Sequence, residues 1–189
     1  MDPYIFDNSF SRLCVLDKIP ANGVCAEIGV LKGDYANLIS LQPIDKLYLI
    51  DPWTSIPDVP HRWHAAPQEE MNAYKLAVHE RFQANESIEI IEKYSNQAVI
   101  DFEDNFFDWI YLDANHSYDF VKEDLTAWWS KLKPGGVFCG NAYLDTPIAK
   151  NILDFGVIPA VDDFIGDKFE DINSFDTIES QYIIEKKPS

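Results

Sequence analysis

Short apolar runs alternate along the chain with longer stretches in which apolar residues recur at helical spacing. The runs predict buried strands and the longer stretches predict amphipathic helices, so their alternation indicates an α/β domain with a parallel sheet. The predicted strands cover residues 24–28, 46–51, 87–92, 107–113 and 137–140, followed by two closing strands near 169–175 and 181–185.

The helices are predicted from the same pattern. Met71, Tyr74, Val78 and Phe82 form one apolar face of a helix over residues 69–83. A short leading helix is predicted around 13–16 against the sheet edge, and a second helix is predicted to begin with Asp34 as its cap. A helix capped by Ser117 has an apolar face formed by Val121, Leu125, Trp128 and Leu132. A turn at 133–136 and a final helix at 157–165 complete the predictions.

The turn after the first strand is the first candidate site. Glu27 lies near the end of that strand, and Gly29 and Gly33 bracket a turn where missing side chains let backbone approach a ligand. The spacing departs from the dinucleotide fingerprint G-x-G-x-x-G, which would need a further glycine at Leu31. A nucleotide-like ligand over this turn is the resulting hypothesis.

A second carboxylate supports that hypothesis. Asp51 ends the second apolar run about 20 residues after the turn, which in a strand-helix-strand unit places it at the carboxyl end of the neighbouring parallel strand. A carboxylate there can accept both hydroxyls of a ribose. The alternative is that Asp51 only ends the strand before Pro52.

Together with later blocks, these residues resemble the class I S-adenosylmethionine-dependent methyltransferases. The blocks are Tyr111-Leu112-Asp113-Ala114-Asn115-His116-Ser117-Tyr118, Val121-Lys122-Glu123-Asp124-Leu125 and Leu132-Lys133-Pro134-Gly135-Gly136-Val137-Phe138. The His-Ser-Tyr block is similar to a compact bacterial subgroup related to small-molecule O-methyltransferases. The resemblance covers the chain roughly from Cys14 to Lys186, and no internal repeat or linker divides the sequence, so a single domain over residues 1–189 is expected. Its expected architecture is a three-layer α/β/α sandwich. Its Rossmann-like, seven-stranded, mostly parallel sheet would end in a C-terminal antiparallel hairpin.

The resemblance also implies roles for individual residues. The expected cofactor contacts are Glu27 at the ribose or amino-acid end, Gly29 and Gly33 at the turn, Asp51 at the ribose hydroxyls, Trp53 over the cofactor, Ser95 at the adenine and Asp113 at the sulfonium. Ser95 suits equally well as an N-cap of the helix that follows it. The candidate catalytic pair is Asp113 and His116, with the imidazole as base for a hydroxyl acceptor. Hydrogen bonding by His116 without proton transfer is the alternative.

The sequence leaves open whether this protein uses a divalent metal. Many relatives hold a divalent metal with the acid ending the fourth strand, here Asp113, and with acidic or amide residues ending the fifth. The related subgroup often carries Gly-His-Asp-Tyr where this chain has Gly140-Asn141-Ala142-Tyr143, and Ala142 cannot ligate. Either no metal is used, or Asp145 substitutes, or catalysis has weakened.

Two irregular segments are candidate lids. They cover residues 52–67 and 144–156 and leave from the ligand-binding edge of the predicted sheet. His61 and His64 could be metal ligands, but no acidic or cysteine partner stands at ligand spacing, so a substrate lid with aromatic and cationic contacts is the favoured interpretation.

Composition limits the partners. A formal net charge of -17 argues against nucleic acid and against an anionic membrane surface, and it is compatible with a cationic ligand. No run could span a membrane, and no signal-peptide pattern is present. Cys25 and Cys139 fall in predicted core strands, which indicates buried thiols in a reducing cytoplasm.

The leading prediction is methyl transfer from S-adenosylmethionine to a small-molecule acceptor, at a hydroxyl oxygen. A non-catalytic S-adenosylmethionine-binding protein is one alternative, suggested by the altered Asn141-Ala142 block. An NAD-binding Rossmann oxidoreductase is another, although the chain lacks a recognisable hydride-transfer pair. The sequence does not identify the acceptor, and a homodimer is left open because many compact relatives form dimers.

Overall fold

A computed structural model describes residues 9–56, 66–147, 149 and 155–189. The strands are β1 (Val24–Ile28), β2 (Lys46–Ile50), β3 (Ile88–Ile91), β4 (Phe107–Leu112), β5 (Leu132–Gly140), β6 (Ile172–Ile178) and β7 (Gln181–Lys186). The helices are α1 (Ser9–Leu16), α2 (Asp34–Ile39), α3 (Gln68–Phe82), α4 (Ser95–Ala98), α5 (Tyr118–Trp129) and α6 (Val157–Lys168), with 3-10 turns at Val99–Asp101 and Phe169–Asp171.

The seven strands form one sheet in the order β3-β2-β1-β4-β5-β7-β6. Strands β1 to β5 pair in parallel, whereas β7 pairs antiparallel with both β5 and β6. The order reverses between β1 and β4, which is where open α/β sheets bind their ligands. The predicted Rossmann-like sheet with its closing antiparallel hairpin is therefore confirmed.

The core lies on both faces of this sheet. Along β2, Leu47 and Leu49 pack with α2 and α3 residues, whereas Tyr48 and Ile50 pack with the cluster that contains α5 and α6 residues. This alternation follows from strand geometry, because successive side chains point to opposite faces. The three layers thus follow from runs that are apolar at nearly every position.

Three local predictions need correction. Gly33, with a φ of +71°, is the N-cap of α2, so Asp34 is the first helical residue instead of the cap. Ser117 occupies the N-cap position of α5, but its hydroxyl donates to Asn115 and makes no capping bond. Strand β5 already begins at Leu132, so the predicted turn lies within this strand. The pairing of β5 with β4 shifts register between Phe107 and Trp109, which accommodates the turn residues.

The leading helix is present but lies elsewhere than predicted. Helix α1 makes its main contacts with α2 and β7, and β7 lies between β5 and β6, so α1 packs chiefly on an inner strand. Val15 is fully buried there, and the Tyr35 hydroxyl donates to the carbonyl oxygen of Arg12 at 3.0 Å. This position brings the Arg12 side chain to the ends of the central strands.

Cys25 and Cys139 are buried, as predicted, and burial raises the pKa of the Cys25 thiol to about 12. A thiol held protonated in this way is a poor nucleophile, so its role is packing. None of the helices in the described ranges is long and apolar enough to cross a membrane.

A buried carboxyl on α5 makes the stability of the fold dependent on pH. Asp124 is 6% exposed, accepts a hydrogen bond from Ser95, and burial raises its pKa from 3.8 to about 7. The unfolded chain therefore loses this proton near pH 4 while the folded protein keeps it until about pH 7. Stability falls as pH rises through that window, because the folded state binds more protons.

We expect the free energy of unfolding, measured with urea, to fall in the wild type by about 2 kcal/mol more than in Asp124→Asn between pH 5.5 and about pH 7. Between about pH 7 and pH 8 this difference should change little further. The amide cannot ionise, so the variant lacks this contribution. Asp119→Asn, which changes an exposed carboxyl on the same helix, is the control and should follow the wild type. Parallel pH profiles for wild type and Asp124→Asn would contradict the assignment.

Candidate active site

The carboxyl ends of the central strands converge on one edge of the sheet. Parallel pairing continues one residue past each strand: Gly29 donates its backbone N–H to Ile50 at 2.9 Å, and Asp113 donates to Ile28 at 2.8 Å. Asn141 donates in the same way to Leu112 at 3.1 Å. The residues that follow β1, β4 and β5 are thereby held side by side.

Both glycines of the turn are required by the chain itself. Gly29 has a φ of +89°, and a Cβ on it would lie 2.3 Å from the carbonyl oxygen of Asp113. Gly33 has a φ of +71°, and its Cβ would lie 2.9 Å from a methyl group of Val78. Backbone conformation and close packing therefore explain both glycines. Their predicted role in admitting a cofactor stays a prediction.

Asp51 holds the glycine turn in shape. Its Oδ2 accepts the backbone N–H groups of Val30 and Leu31, each at 2.9 Å, and its Oδ1 accepts that of Trp53 at 2.7 Å. The strand-end carboxylate thus organises the loop into which a ribose was predicted to bind. Contact with ribose hydroxyls remains a prediction.

Trp53 packs against the same turn. Its indole is 2% exposed, and its Nε1–H donates to the carbonyl oxygen of Leu31 at 2.8 Å. Both residues have positive φ, +44° for Trp53 and +50° for Leu31, so the turn is held in a conformation that these side chains rarely adopt. The indole therefore stabilises the turn, and its predicted cover of the cofactor is untested.

Replacing Asp51 by Ala should lower the free energy of unfolding by about 2–4 kcal/mol, because three backbone N–H groups lose a charged acceptor. Urea titration followed by tryptophan fluorescence measures this. Asp34→Ala removes a largely exposed carboxylate at the start of α2, directly after the turn, and should cost less than about 1 kcal/mol. Equal stabilities for the two variants would show that Asp51 does not organise the turn.

Three protein groups converge on the carboxylate of Asp113. The guanidinium of Arg12 lies 2.5 Å from Oδ2, while His116 Nε2 lies 3.1 Å and Asn141 Nδ2 lies 3.2 Å from Oδ1. Burial would raise the pKa of Asp113, but Arg12, His116 and Asn141 outweigh burial and hold that pKa below its ordinary value. Asp113 is thus an ionised, fully paired carboxylate, and the predicted neighbours Asp113 and His116 do meet.

A hydrogen-bond chain extends from this cluster into the core. Asn141 Oδ1 accepts from Gln181 Nε2 at 2.8 Å, and Gln181 Oε1 accepts from the Tyr111 hydroxyl at 2.7 Å. The Gln181 side chain is fully buried, and burial raises the pKa of Tyr111 well above its ordinary value, so the phenol remains a donor. The chain fixes the rotation of the Asn141 amide.

Glu27 is a buried acid with an unused acceptor. It is 2% exposed, and its Oε2 has no hydrogen-bond partner among the residues that the structure describes. Burial raises its pKa well above the ordinary value, opposed by the positive charge of Arg12, whose Nε is also buried and has no partner within the described ranges. Buried polar atoms are nearly always paired, so an unpaired acceptor and donor in one region indicate a ligand with the opposite groups. The ammonium and carboxylate of an amino-acid moiety fit this requirement.

Ser95 is already engaged within the protein. Its hydroxyl donates to Asp124 and accepts from the Trp128 indole at 2.8 Å, and the N-cap of α4 is Tyr94. The predicted N-cap role is therefore wrong, and the predicted adenine contact stays a prediction.

The described side chains do not fit a divalent metal. Hard cations need several oxygen ligands, usually with charge, yet both oxygens of Asp113 already accept protein donors. Ala142 has no ligating atom, and Asp145 is exposed. Within the described ranges, no three His, Cys, Asp or Glu side chains come close enough to hold a metal ion.

The part of the second predicted lid that the structure describes contacts the site. Phe155 packs edge-on against His116 with ring centroids 4.6 Å apart, and the Gly156 N–H donates to the His116 carbonyl oxygen at 2.7 Å. In the first lid, residues 57–65, including His61 and His64, lie outside the described residues.

A groove along the edge strand β3, bordered by Tyr48, Glu92, Asp101 and Phe102, shares no residue with the cluster. Three acids of its lining pair with lysines: Glu89 with Lys46 at 3.3 Å, Glu92 with Lys75 at 2.9 Å and Asp101 with Lys93. The cluster of side chains around Asp113 is therefore the better candidate site.

Sequence reasoning missed the participation of Arg12 and Gln181. A signal existed for Arg12, which is the lone charged residue of the otherwise apolar or small-polar helix α1. Nothing local marked Gln181, because its partners Asn141 and Tyr111 stand 40 and 70 positions away.

Comparison with known proteins gives the class of this site. Residues 26–143 match the family described as methyltransferase domain, which covers more than half of the chain. The chain therefore belongs to that family and is a methyltransferase. The prediction from the sequence of an S-adenosylmethionine-dependent methyltransferase is confirmed. Among curated proteins, none matches the chain significantly.

Several solved structures share the fold. They include the O-methyltransferase NovP, with a TM-score of 0.64 and 17% identity over 96% of this chain and 79% of that one. A Methanococcus maripaludis protein assigned as an S-adenosyl-L-methionine-dependent methyltransferase has a TM-score of 0.62 and 16% identity over 95% and 84%. The N-methyltransferase NodS of Bradyrhizobium japonicum has a TM-score of 0.60 and 13% identity over all of both chains. At these identities the likeness concerns the fold alone.

Proposed function

We propose that this methyltransferase transfers the methyl group of S-adenosylmethionine to a hydroxyl oxygen of a small molecule. The observation that supports the site assignment best is the buried Oε2 of Glu27, which has no partner among the described residues, at the strand edge where Asp51 and Asp113 also end their strands. A site with acids at the ends of adjacent parallel strands suits a ligand that carries an ammonium, a sulfonium and a ribose.

Glu27 and Arg12 would hold the amino-acid end of the methyl donor. The ammonium satisfies the free acceptor of Glu27, and the carboxylate satisfies the free Nε–H of Arg12. Each interaction is charge-assisted and would form in a buried region, where such hydrogen bonds are strong. Asp51, by holding the turn, would present its loop to the ribose, and Ser95 would lie towards the adenine.

Asp113 and His116 would serve the acceptor. Because the ionised Asp113 can only accept, His116 presents Nε2–H to it, and in the neutral ring Nδ1 carries the lone pair. During transfer the acceptor oxygen forms a bond to the methyl carbon as the carbon–sulfur bond breaks. The sulfonium becomes the neutral thioether of S-adenosylhomocysteine, and His116 takes the hydroxyl proton. Phe155 helps to exclude water from the imidazole.

The Glu27 assignment is tested by calorimetric titration with S-adenosylhomocysteine. Glu27→Gln should weaken binding at least about tenfold, because the ammonium loses a buried charged partner. Its urea-derived stability should equal or exceed that of the wild type, because burying an unpaired carboxyl opposes folding. A loss of affinity together with unchanged stability separates binding from folding.

Glu89→Gln, which changes an exposed carboxyl on β3, is the matched control and should bind like the wild type. Wild-type affinity in Glu27→Gln would remove Glu27 from the donor site. A wild type that binds no S-adenosylhomocysteine would overturn the proposed site as a whole.

The acceptor class is tested by release of S-adenosylhomocysteine from S-adenosylmethionine in the presence of phenols, catechols and monosaccharides, with the matching amines alongside. For any hydroxyl acceptor that turns over, His116→Asn should reduce turnover by about 100-fold or more while S-adenosylhomocysteine affinity stays within about threefold. The control His79→Asn changes a partly exposed histidine paired with Glu92. Turnover of amines alone would contradict transfer to oxygen.

A further inference from the structure

We propose that Arg12 is a positioning residue that supplies, from the protein itself, the positive charge at Asp113, and that it thereby keeps divalent cations out of the site. The proposal rests on the assignment of the Asp113 cluster as the reaction centre.

The first observation is the set of donors that the described part of the chain brings to Asp113. Its side chain is 11% exposed, and an ionised carboxylate at that depth requires compensation. Arg12 provides the charge at Oδ2, 2.5 Å away, while His116 and Asn141 provide hydrogen bonds to Oδ1. A guanidinium cannot lose its proton in a protein, so this charge is permanent.

The second observation is the direction of the Asn141 amide. An ionised Asp113 accepts only, so the amide group that faces it must be the NH₂. The amide oxygen, which is the atom that could bind a metal, then points to the Nε2 of Gln181 at 2.8 Å. Gln181 in turn uses its own oxygen to accept from Tyr111 at 2.7 Å. The three side chains fix one another, and together they turn the potential ligand away from Asp113.

The third observation concerns Ala142. It is 2% exposed and has a φ of +64°, a left-handed conformation that aspartate tolerates better than most residues. An aspartate could therefore be introduced here at modest backbone cost. In this chain no carboxylate is available at 142 to share a cation with Asp113, so the positive charge is left to Arg12 alone.

The test is calorimetric titration with manganese chloride. The wild type should show no binding up to millimolar Mn²⁺, and its affinity for S-adenosylhomocysteine should be the same with EDTA or with Mn²⁺. The double variant Arg12→Ala/Ala142→Asp removes the internal cation and adds a carboxylate, so it should bind Mn²⁺ at least about 100-fold more tightly than the wild type. Ala142→Asp alone should gain much less, because Arg12 still occupies Oδ2.

Two outcomes would overturn the proposal. One is Mn²⁺ binding by the wild type that disappears in Asp113→Asn, and this arm does not depend on the folding of the double variant. The other is a double variant with a native circular dichroism spectrum that fails to bind Mn²⁺. The S-adenosylhomocysteine titration of the wild type tests the proposed function separately, since Mn²⁺ exclusion can fail while that ligand still binds.

Discussion

The negative charge of Asp113 is the constraint on which the arrangement of the site depends. A carboxylate buried at the end of a central strand is stable only if other parts of the chain bring donors to it. Arg12 comes from the leading helix, His116 from the loop before α5, and Asn141 from the end of β5. One charge therefore joins three segments that are far apart in the sequence, and it places a histidine and an arginine around the same point.

A second feature is the use of buried acids that do not favour folding. In the described part of the chain Glu27 has an acceptor without a partner, and burial raises the pKa of both Glu27 and Asp124. Such groups oppose stability, which natural proteins tolerate most often at sites of binding or catalysis. The apolar layers on the two faces of the sheet provide the stability that offsets them. Glu27 belongs to the candidate site, whereas Asp124 accepts a hydrogen bond from Ser95.

The sheet was predictable because its signals are local. The runs of β1 and β4 are apolar at nearly every position, as buried parallel strands require, and the strand order agrees with the family resemblance. Prediction was weaker where several residues compete for one role. Gly33 displaced Asp34 as the cap of α2, and Asn115 took the hydroxyl of Ser117. In each case a backbone conformation or a neighbouring amide decided the outcome.

The sequence by itself determined the α/β class, the glycine turn, the acids at the strand ends and the proximity of Asp113 to His116, because each depends on spacing along a few residues. Only the tertiary structure decided how the carboxylates are used. It assigned Asp51 to the turn through Val30 and Leu31, and it left Glu27 with an acceptor that no described residue fills. It also brought Arg12 to Asp113 across 101 positions of the chain. Hydrogen bonds and charge pairs form between atoms that are close in space, and sequence spacing does not encode that closeness for residues on different elements.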